Sequence, residues 1–329
     1  MYNGNTVGVV VPAYNERGFV GEVIDTLPEF VDRAYVVDDR STDGTWQEIQ
    51  EHAEAVNRAV AEPEGEPRLA DGGVGFTRKV VPIRHETNRG VGGAIKTGYR
   101  RAYADGMDVT AVMAGDGQMD PDSLPRLIDP IVNGDAEYAK STRLLDAEYR
   151  EEMPPFRLFG NRLLSVLTRI ASGYWRTTDP QNGYTAISRD ALADLDIDSL
   201  YDDYGFANEL LVRLNCHGMT VADVAVPAVY GDEESTIRYR SFVPKLSWLL
   251  LTNFFHRQRT QFAESGARAT PLCYALGVLG ILAAVVAGVV GDADLLAALV
   301  VGSYLSLGVA MYRDRDGDEE LEMRVTGDE

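Results

Sequence analysis

Four times in its first half the chain repeats one pattern: an apolar run of strand character, a polar loop, then a stretch of helical periodicity. Val7–Val11 runs into Pro12, Ala13, Tyr14, Asn15 and Glu16. Ala34–Val37 runs into Asp38–Thr45, and Val80–Ile83 into Asn88–Gly93. Val109–Met113 breaks at Gly115 into Asp116, Gly117 and Gln118. Helical signals follow each loop, over Phe19–Phe30, Gly44–Val60, Gly92–Ala104 and Ser123–Val132, with Ser123 placed to cap the last. Ala136–Lys140 reads as a further strand. Strands alternating with helices predict an α/β fold, a mostly parallel sheet covered on both faces. In such sheets ligands bind outside the carboxyl ends of the strands. The four loops therefore share one crevice, suited to an anionic, nucleotide-containing ligand.

The remainder is less regular. Helices are expected over Phe156–Ser172 and Phe206–Cys216, and strands over Thr185–Ser188 and Thr220–Val226. Ala61–Gly75, rich in Pro, Gly and Glu, reads as a surface loop. Pro271–Val290 and Leu295–Tyr312 carry no charge, and helices of about 20 residues span a hydrocarbon layer of about 30 Å. They predict either a two-helix transmembrane hairpin or a buried hairpin of a soluble core, and the adjacency of two such segments favours the membrane. Phe242–Phe255, with Trp248 and the flanking Lys245, Arg257 and Arg259, fits a helix lying on a bilayer or one capping the sheet. The domains expected are residues 1–240, an interfacial segment 241–268, two spans within 269–312 and an acidic tail 313–329, disordered over Asp316–Glu329.

Composition narrows the partners. The 329 residues carry a formal net charge of −20, which argues against nucleic acid. Lys79, Lys96, Lys140 and Lys245 are the only lysines. Strong acidity with few lysines fits a halophilic, archaeal source, where salt screens self-repulsion. Arg257, Arg259 and Arg268 precede the first apolar segment, and Arg313 and Arg315 follow the second. The positive-inside rule then puts the catalytic domain of a multi-pass protein in the cytoplasm. No basic-flanked leader is visible, so no signal peptide is expected. Cys216 and Cys273 suggest neither a disulfide framework nor a zinc site, and His52, His85, His217 and His256 form no ligand motif. A metal here is expected to be a hard cation held by oxygen.

PAYNE (12–16), VVDDRSTDGT (36–45), NRGVGGAIKTGY (88–99) and GDGQMDP (115–121), in this order, resemble the inverting family 2 glycosyltransferases of GT-A (Rossmann-like) fold. The likeness is greatest to polyprenyl- and dolichyl-phosphate sugar synthases and covers roughly residues 6–240. It implies transfer of a hexose from a UDP- or GDP-sugar to a polyprenyl or dolichyl phosphate at the bilayer, assisted by Mg2+ or Mn2+. By resemblance Pro12, Tyr14, Glu16 and Asp39 line the nucleotide site. Asp43 either joins them or caps a helix. Arg89 stands before a helix N-terminus that attracts phosphate, although its glycines serve equally for tight packing.

Asp116 is the first candidate for the metal and for catalysis, with Gln118 beside it. Relatives commonly carry Asp-x-Asp-x-Gln, whereas this chain has Ala114 two positions before Asp116; Asp120 either substitutes or makes a turn. An ionised lipid phosphate needs no general base. It needs arginine, whose planar fork binds phosphate bidentately. The candidates are Arg143, Arg162 and Arg238, with Arg240; surface ion pairs are the alternative for each. The segment Thr178–Tyr184 resembles the family's acceptor loop, with Asp179 at the sugar or in a plain turn. Glu209 is the candidate base should the acceptor be a sugar hydroxyl, or else part of an ordinary amphipathic helix. A catalytically inactive nucleotide-sugar-binding protein is the reading from another class. The oligomeric state stays open.

Overall fold

In the computed structural model, residues 1–61, 76, 78–142, 155–226, 239–264 and 268–326 are described, of 61, 155–162, 239–242 and 264 the backbone alone. Eight strands form one sheet: β1 (Val7–Ala13), β2 (Arg33–Asp38), β3 (Val80–Arg84), β4 (Val109–Val112), β5 (Tyr138–Thr142), β6 (Thr185–Ser188), β7 (Val221–Ala225) and β8 (Glu322–Val325). Their order is β3-β2-β1-β4-β6-β5-β7-β8. All the pairings are parallel except those of β6, which runs antiparallel to both neighbours. The expected sheet is present, and seven strands end at one edge.

The helices are α1 (Val20–Asp25), α2 (Thr45–Ala61), α3 (Val91–Asp105), α4 (Leu124–Val132), α5 (Pro155–Ser172), α6 (Arg189–Asp194), α7 (Phe206–Cys216), α8 (Tyr239–Glu264), α9 (Ala269–Val290) and α10 (Ala293–Gly317). Strand β1 is apolar throughout because both faces are covered. Val7, Val9 and Val11 pack with Val20, Ile24, Ile49 and Leu124, from α1, α2 and α4. Val10 packs on the other face with Ala94, Tyr99 and Leu210, from α3 and α7. Close approach is built in: a Cβ at Gly98 of α3 would stand 2.3 Å from Val10 Cγ1. Ser123 makes no cap bond; the cap is Asp120, whose side chain accepts from Asp122 N at 3.0 Å and from Ser123 Oγ at 2.8 Å. Proline at 121 starts the turn that Asp120 closes, so the cap falls one turn earlier.

Helices α9 and α10 form the apolar hairpin. Gly291, at φ +86°, ends α9, and Asp292 caps α10 by accepting from Leu295 N at 3.0 Å. Their apolar stretches are largely exposed, with only 22% and 11% buried. Core helices of a soluble protein turn such surface inward; these turn it outward. They are long and apolar enough to cross a membrane. Gly277 and Gly280 bring the pair together, for Cβ atoms there would lie 2.5 Å from Leu307 Cγ and 2.2 Å from Ser303 Oγ.

One expectation fails. The acidic tail is not disordered where it is described: α10 continues to Gly317, a short turn follows at Glu319–Leu321, and Glu322–Val325 enters the sheet as β8 beside β7. Its acidity concealed an alternation: Met323 and Val325, alternating with Glu322 and Arg324, pack on one face of the core, while Leu321 in the preceding turn meets the other core cluster. Arg257, read as a flanking charge, is wholly buried. Its Nη atoms meet both oxygens of Asp314 at 2.8 and 2.7 Å, and Nε donates to Ala171 O at 2.9 Å. Nη2 also donates to Ile170 O at 3.0 Å, at the end of α5. The expected surface loop Ala61–Gly75 lies outside the described residues, apart from Ala61 at the end of α2.

Candidate functional site

The crevice is built at the carboxyl edge around the end of β1. Strands β2 and β4 flank β1, and the ladder runs on past them: Asp39 N donates to Ala13 O at 2.9 Å and Gly115 N to Pro12 O at 3.0 Å. Strand order reverses between β1 and β4, the place where such sheets open a crevice. Pro12 is buried; Tyr14, at the loop's tip, is 48% exposed, and Glu16 is half-buried with its N–H on Thr45 Oγ1 at 2.8 Å. Asn15 laces this loop to the next, its N–H on Ser41 Oγ at 2.9 Å and its Oδ1 accepting from Thr42 N at 2.9 Å. Arg17, Arg40, Arg84 and Arg89 are exposed on the loops and strand ends at this edge, a basic rim on an acidic chain.

Asp39 has a second task that sequence did not reveal. It is buried, with Oδ1 accepting from Arg89 N at 2.8 Å and Oδ2 from Gly90 N at 2.7 Å, and His85 Nδ1 lies 2.7 Å from Oδ1. Its carboxylate thus shapes the turn into α3. Asp38 is buried as well, accepting from Ser41 N at 3.0 Å with Arg84 Nε 2.9 Å away. Asp43 takes the cap role, accepting from Thr45 N at 3.0 Å and Thr45 Oγ1 at 2.6 Å. Burial opposes its charge, but the bonds from Thr45 and Arg17 outweigh that and hold the carboxyl below the usual range. The glycines before α3 serve packing. Gly90, at φ +84°, has room for no Cβ, which would lie 2.5 Å from Asp202 O, and Gly93 N donates to that same oxygen at 2.9 Å.

Asp116 stands just past β4, half-buried, in a turn where its Oδ1 accepts from Gln118 N at 3.0 Å. Gln118 is half-buried beside it. Asp120, capping as above, also fixes the neighbouring loop, its carbonyl accepting from Tyr184 OH at 2.9 Å. Among the described residues no group of three or more His, Cys, Asp and Glu side chains forms a metal cage. One carboxylate at a strand end is a donor set that suits Mg2+, which keeps water or substrate phosphate as its other ligands, better than zinc.

The loop Thr178–Tyr184 leads into β6, which pairs with β4 through Thr185 and Val112. It therefore lies against the Asp116 loop. Asp179 has φ +45°, uncommon for a residue with a side chain. Lys140 and Asp223, both buried, hold it there. They pair at 2.8 Å, and Lys140 Nζ also donates to Thr178 O and Asp179 O. Asp223 accepts from Thr178 N at 2.6 Å, Thr178 Oγ1 at 2.7 Å and Thr177 Oγ1 at 3.0 Å. Sequence reasoning passed over both residues. The available signal was Asp223 at the centre of an apolar strand and, in Lys140, one of only four lysines at the end of the strand expected over Ala136–Lys140.

Glu209 lies in the first turn of α7 and is buried, with Oε2 accepting from Tyr201 N at 2.8 Å and Oε1 from Arg213 Nη2 at 3.0 Å. Oε2 thus holds the segment before the helix, and Oε1 an arginine one turn on along it. Arg143 and Arg238 lie outside the described residues, though Thr142 immediately before Arg143 bonds Thr178 at 2.8 Å. Arg162 and Arg240 are placed on α5 and α8 by the backbone.

A family model described as glycosyl transferase family 2 matches residues 8–196, more than half the chain. A UDP-N-acetylglucosamine–dolichyl-phosphate N-acetylglucosaminyltransferase of Methanococcus voltae is 31% identical over 223 residues, 68% of this chain and 85% of that one. An undecaprenyl-phosphate mannosyltransferase of Micrococcus luteus is 28% identical over 228 residues, 67% and 82% of the two chains. Among solved structures, glucosyl-3-phosphoglycerate synthase from Mycobacterium tuberculosis with Mg2+ and UDP superposes with a TM-score of 0.52 at 18% identity, covering 77% of this chain and 79% of that one. That likeness is one of fold, and the fold is GT-A. This chain belongs to glycosyl transferase family 2 and is a glycosyltransferase.

Proposed function

We propose that the protein transfers a hexose from a UDP- or GDP-sugar to a polyprenyl or dolichyl phosphate at the cytoplasmic membrane face, feeding glycan assembly such as protein glycosylation. The observation that carries this reading is the apposition of the Asp116 loop and the Thr178–Tyr184 loop across the β4–β6 pairing. A donor diphosphate and an anionic acceptor meet at such a junction. Relatives named as dolichyl- and undecaprenyl-phosphate transferases support the acceptor, and the outward apolar face of the α9–α10 hairpin supports the membrane.

Tyr14 is exposed at the crevice to cover the base, with Pro12 and Glu16 forming the floor and wall beside it. Asp39 acts by holding Arg89 and Gly90, which leaves the Arg89 side chain exposed toward the diphosphate end. Asp116, with Gln118, would hold a divalent cation, Mg2+ or Mn2+, which supplies charge neutralisation to the departing diphosphate. The fold neighbour solved with Mg2+ and UDP supports that assignment. Arg143, Arg162 and Arg238 are the candidates to bind the acceptor phosphate. One of its oxygens attacks the anomeric carbon in line: the new C–O bond forms as the bond to the diphosphate breaks, the nucleoside diphosphate leaves with the electron pair, and configuration inverts. Arg259, Arg268, Arg313 and Arg315 flank the hairpin on its catalytic side, whereas the turn between its helices carries Asp292 and Asp294.

The test is incubation of the detergent-solubilised protein, at high salt with Mg2+ or Mn2+, with dolichyl phosphate and labelled UDP- and GDP-sugars. One labelled, inverted lipid product is expected, and Asp116→Ala should abolish it while the protein stays folded. Retention at C1, or full Asp116→Ala activity in chelator, overturns the mechanism.

A further inference from the structure

The segment that follows the hairpin returns to the catalytic domain and runs along residues 173–177, the last before the Thr178–Tyr184 loop. Asp318 accepts from Asn215 Nδ2 at 3.0 Å and lies 3.6 Å from Arg257 Nη1. Gly173 sits between them: a Cβ there would stand 2.5 Å from Arg257 Nη1 and 2.6 Å from Asp318 Oδ2. Glu319 pairs with Arg176. Glu322 Oε2 accepts from Arg176 N at 2.7 Å, and Arg324 Nη2 donates to Arg176 O at 2.7 Å. Strand β8 places Arg324 opposite Asp223, the residue that holds Thr177 and Thr178. One chain of contacts thus runs from α10 through Arg257 and the tail to the loop beside Asp116.

We propose that this tail is a positioning element of the transferase: by docking as β8 and gripping Arg176, it fixes the Thr178–Tyr184 loop relative to the hairpin, and so fixes where a membrane-borne phosphate meets the donor. Glu322 and Arg324 are its positioning residues, acting through Arg176. The proposal rests on the lipid-phosphate reading for its consequence in turnover, but not for its structural claim.

The experiment compares the full chain, Arg324→Ala, Glu322→Ala and a chain shortened after Asp318, in detergent at high salt. Two readouts are taken: KM for dolichyl phosphate against KM for the nucleotide sugar, and amide hydrogen exchange over residues 177–183. Expected are a rise of about tenfold in the lipid-phosphate KM of the shortened chain, a smaller rise in the point variants, and a donor KM within about twofold. Exchange should quicken over 177–183 and stay unchanged over 7–13 and 33–38. Unchanged lipid-phosphate KM with unchanged exchange overturns the proposal, and so does an equal loss toward both substrates. Should the shortened chain fail to fold, Arg324→Ala decides alone, since its side chain is exposed. Should the full chain transfer no sugar to lipid phosphate, the functional reading fails, while exchange over 177–183 still decides the positioning.

Discussion

The side chains that sequence singled out divide by what their oxygens are already doing. Glu209 spends both carboxylate oxygens on Tyr201 N and Arg213. A carboxylate so engaged is poorly placed to accept a proton, and an ionised phosphate acceptor requires none. Glu209→Gln, which keeps an acceptor for Tyr201 N, should therefore retain turnover to within about tenfold, as measured by kcat with a lipid-phosphate acceptor. A near-dead variant would favour a hydroxyl acceptor. Lys140 and Asp223 are the opposite case, inconspicuous in sequence and central in space. Asp223→Ala leaves a buried ammonium without its partner, at a cost of about 3–5 kcal/mol. Its melting temperature should fall clearly below that of the parent chain, and Lys140→Met in the same chain should recover part of the loss.

Among the elements, α8 and β8 carry the consequences that local sequence does not announce. Helix α8 buries Leu246, Leu250, Asn253 and Arg257 on one face and exposes Trp248, Leu251 and Phe255 on another. The buried face packs against α5 and α7, and the exposed apolar face is the one proposed to meet lipid. Brominated lipids in nanodiscs should quench Trp248, which is 68% exposed, at shallow depth, and Trp248→Phe should remove most of that quenching. In β8, partial burial is the main reason that the Glu322 carboxyl is pushed up to about 7, with the Asp223 charge adding to it against the bonds from the Arg176, Trp175 and Thr177 backbone. A carboxyl raised on folding stabilises when protonated. Its contribution is whole below the ordinary value of 4.5 and is lost as pH rises through about 7. Tail docking should thus loosen between about pH 5 and pH 8. The melting temperature should fall over that window, and Glu322→Gln should flatten the fall; an unchanged slope would count against the assignment.

At the scale of the molecule, the sheet joins a crevice at its carboxyl edge to a hairpin at its far end, and the tail ties the two. The excess of acidic residues predicts that this whole arrangement needs salt: the melting temperature should rise with KCl, and a protein equally stable without salt would remove the halophilic reading. What sequence determined by itself was everything recorded as local periodicity. The βα alternation, the positions of α2, α3, α7, α9 and α10, and the edge carrying Pro12, Tyr14, Asp39 and Asp116 were legible, because burial on two faces and the end of a strand leave their mark within a few residues. The family motifs lie on that same edge. Only the tertiary structure decided which buried charges meet. Asp39 shapes the turn into α3, Asp120 caps where Ser123 was expected to, Arg257 closes on Asp314, and acidic residues after Gly317 become an eighth strand. Each of these depends on a partner brought close by the packing of distant segments. A polar side chain in a sequence carries no trace of the group that will satisfy it, and burial makes that pairing obligatory once the core has closed.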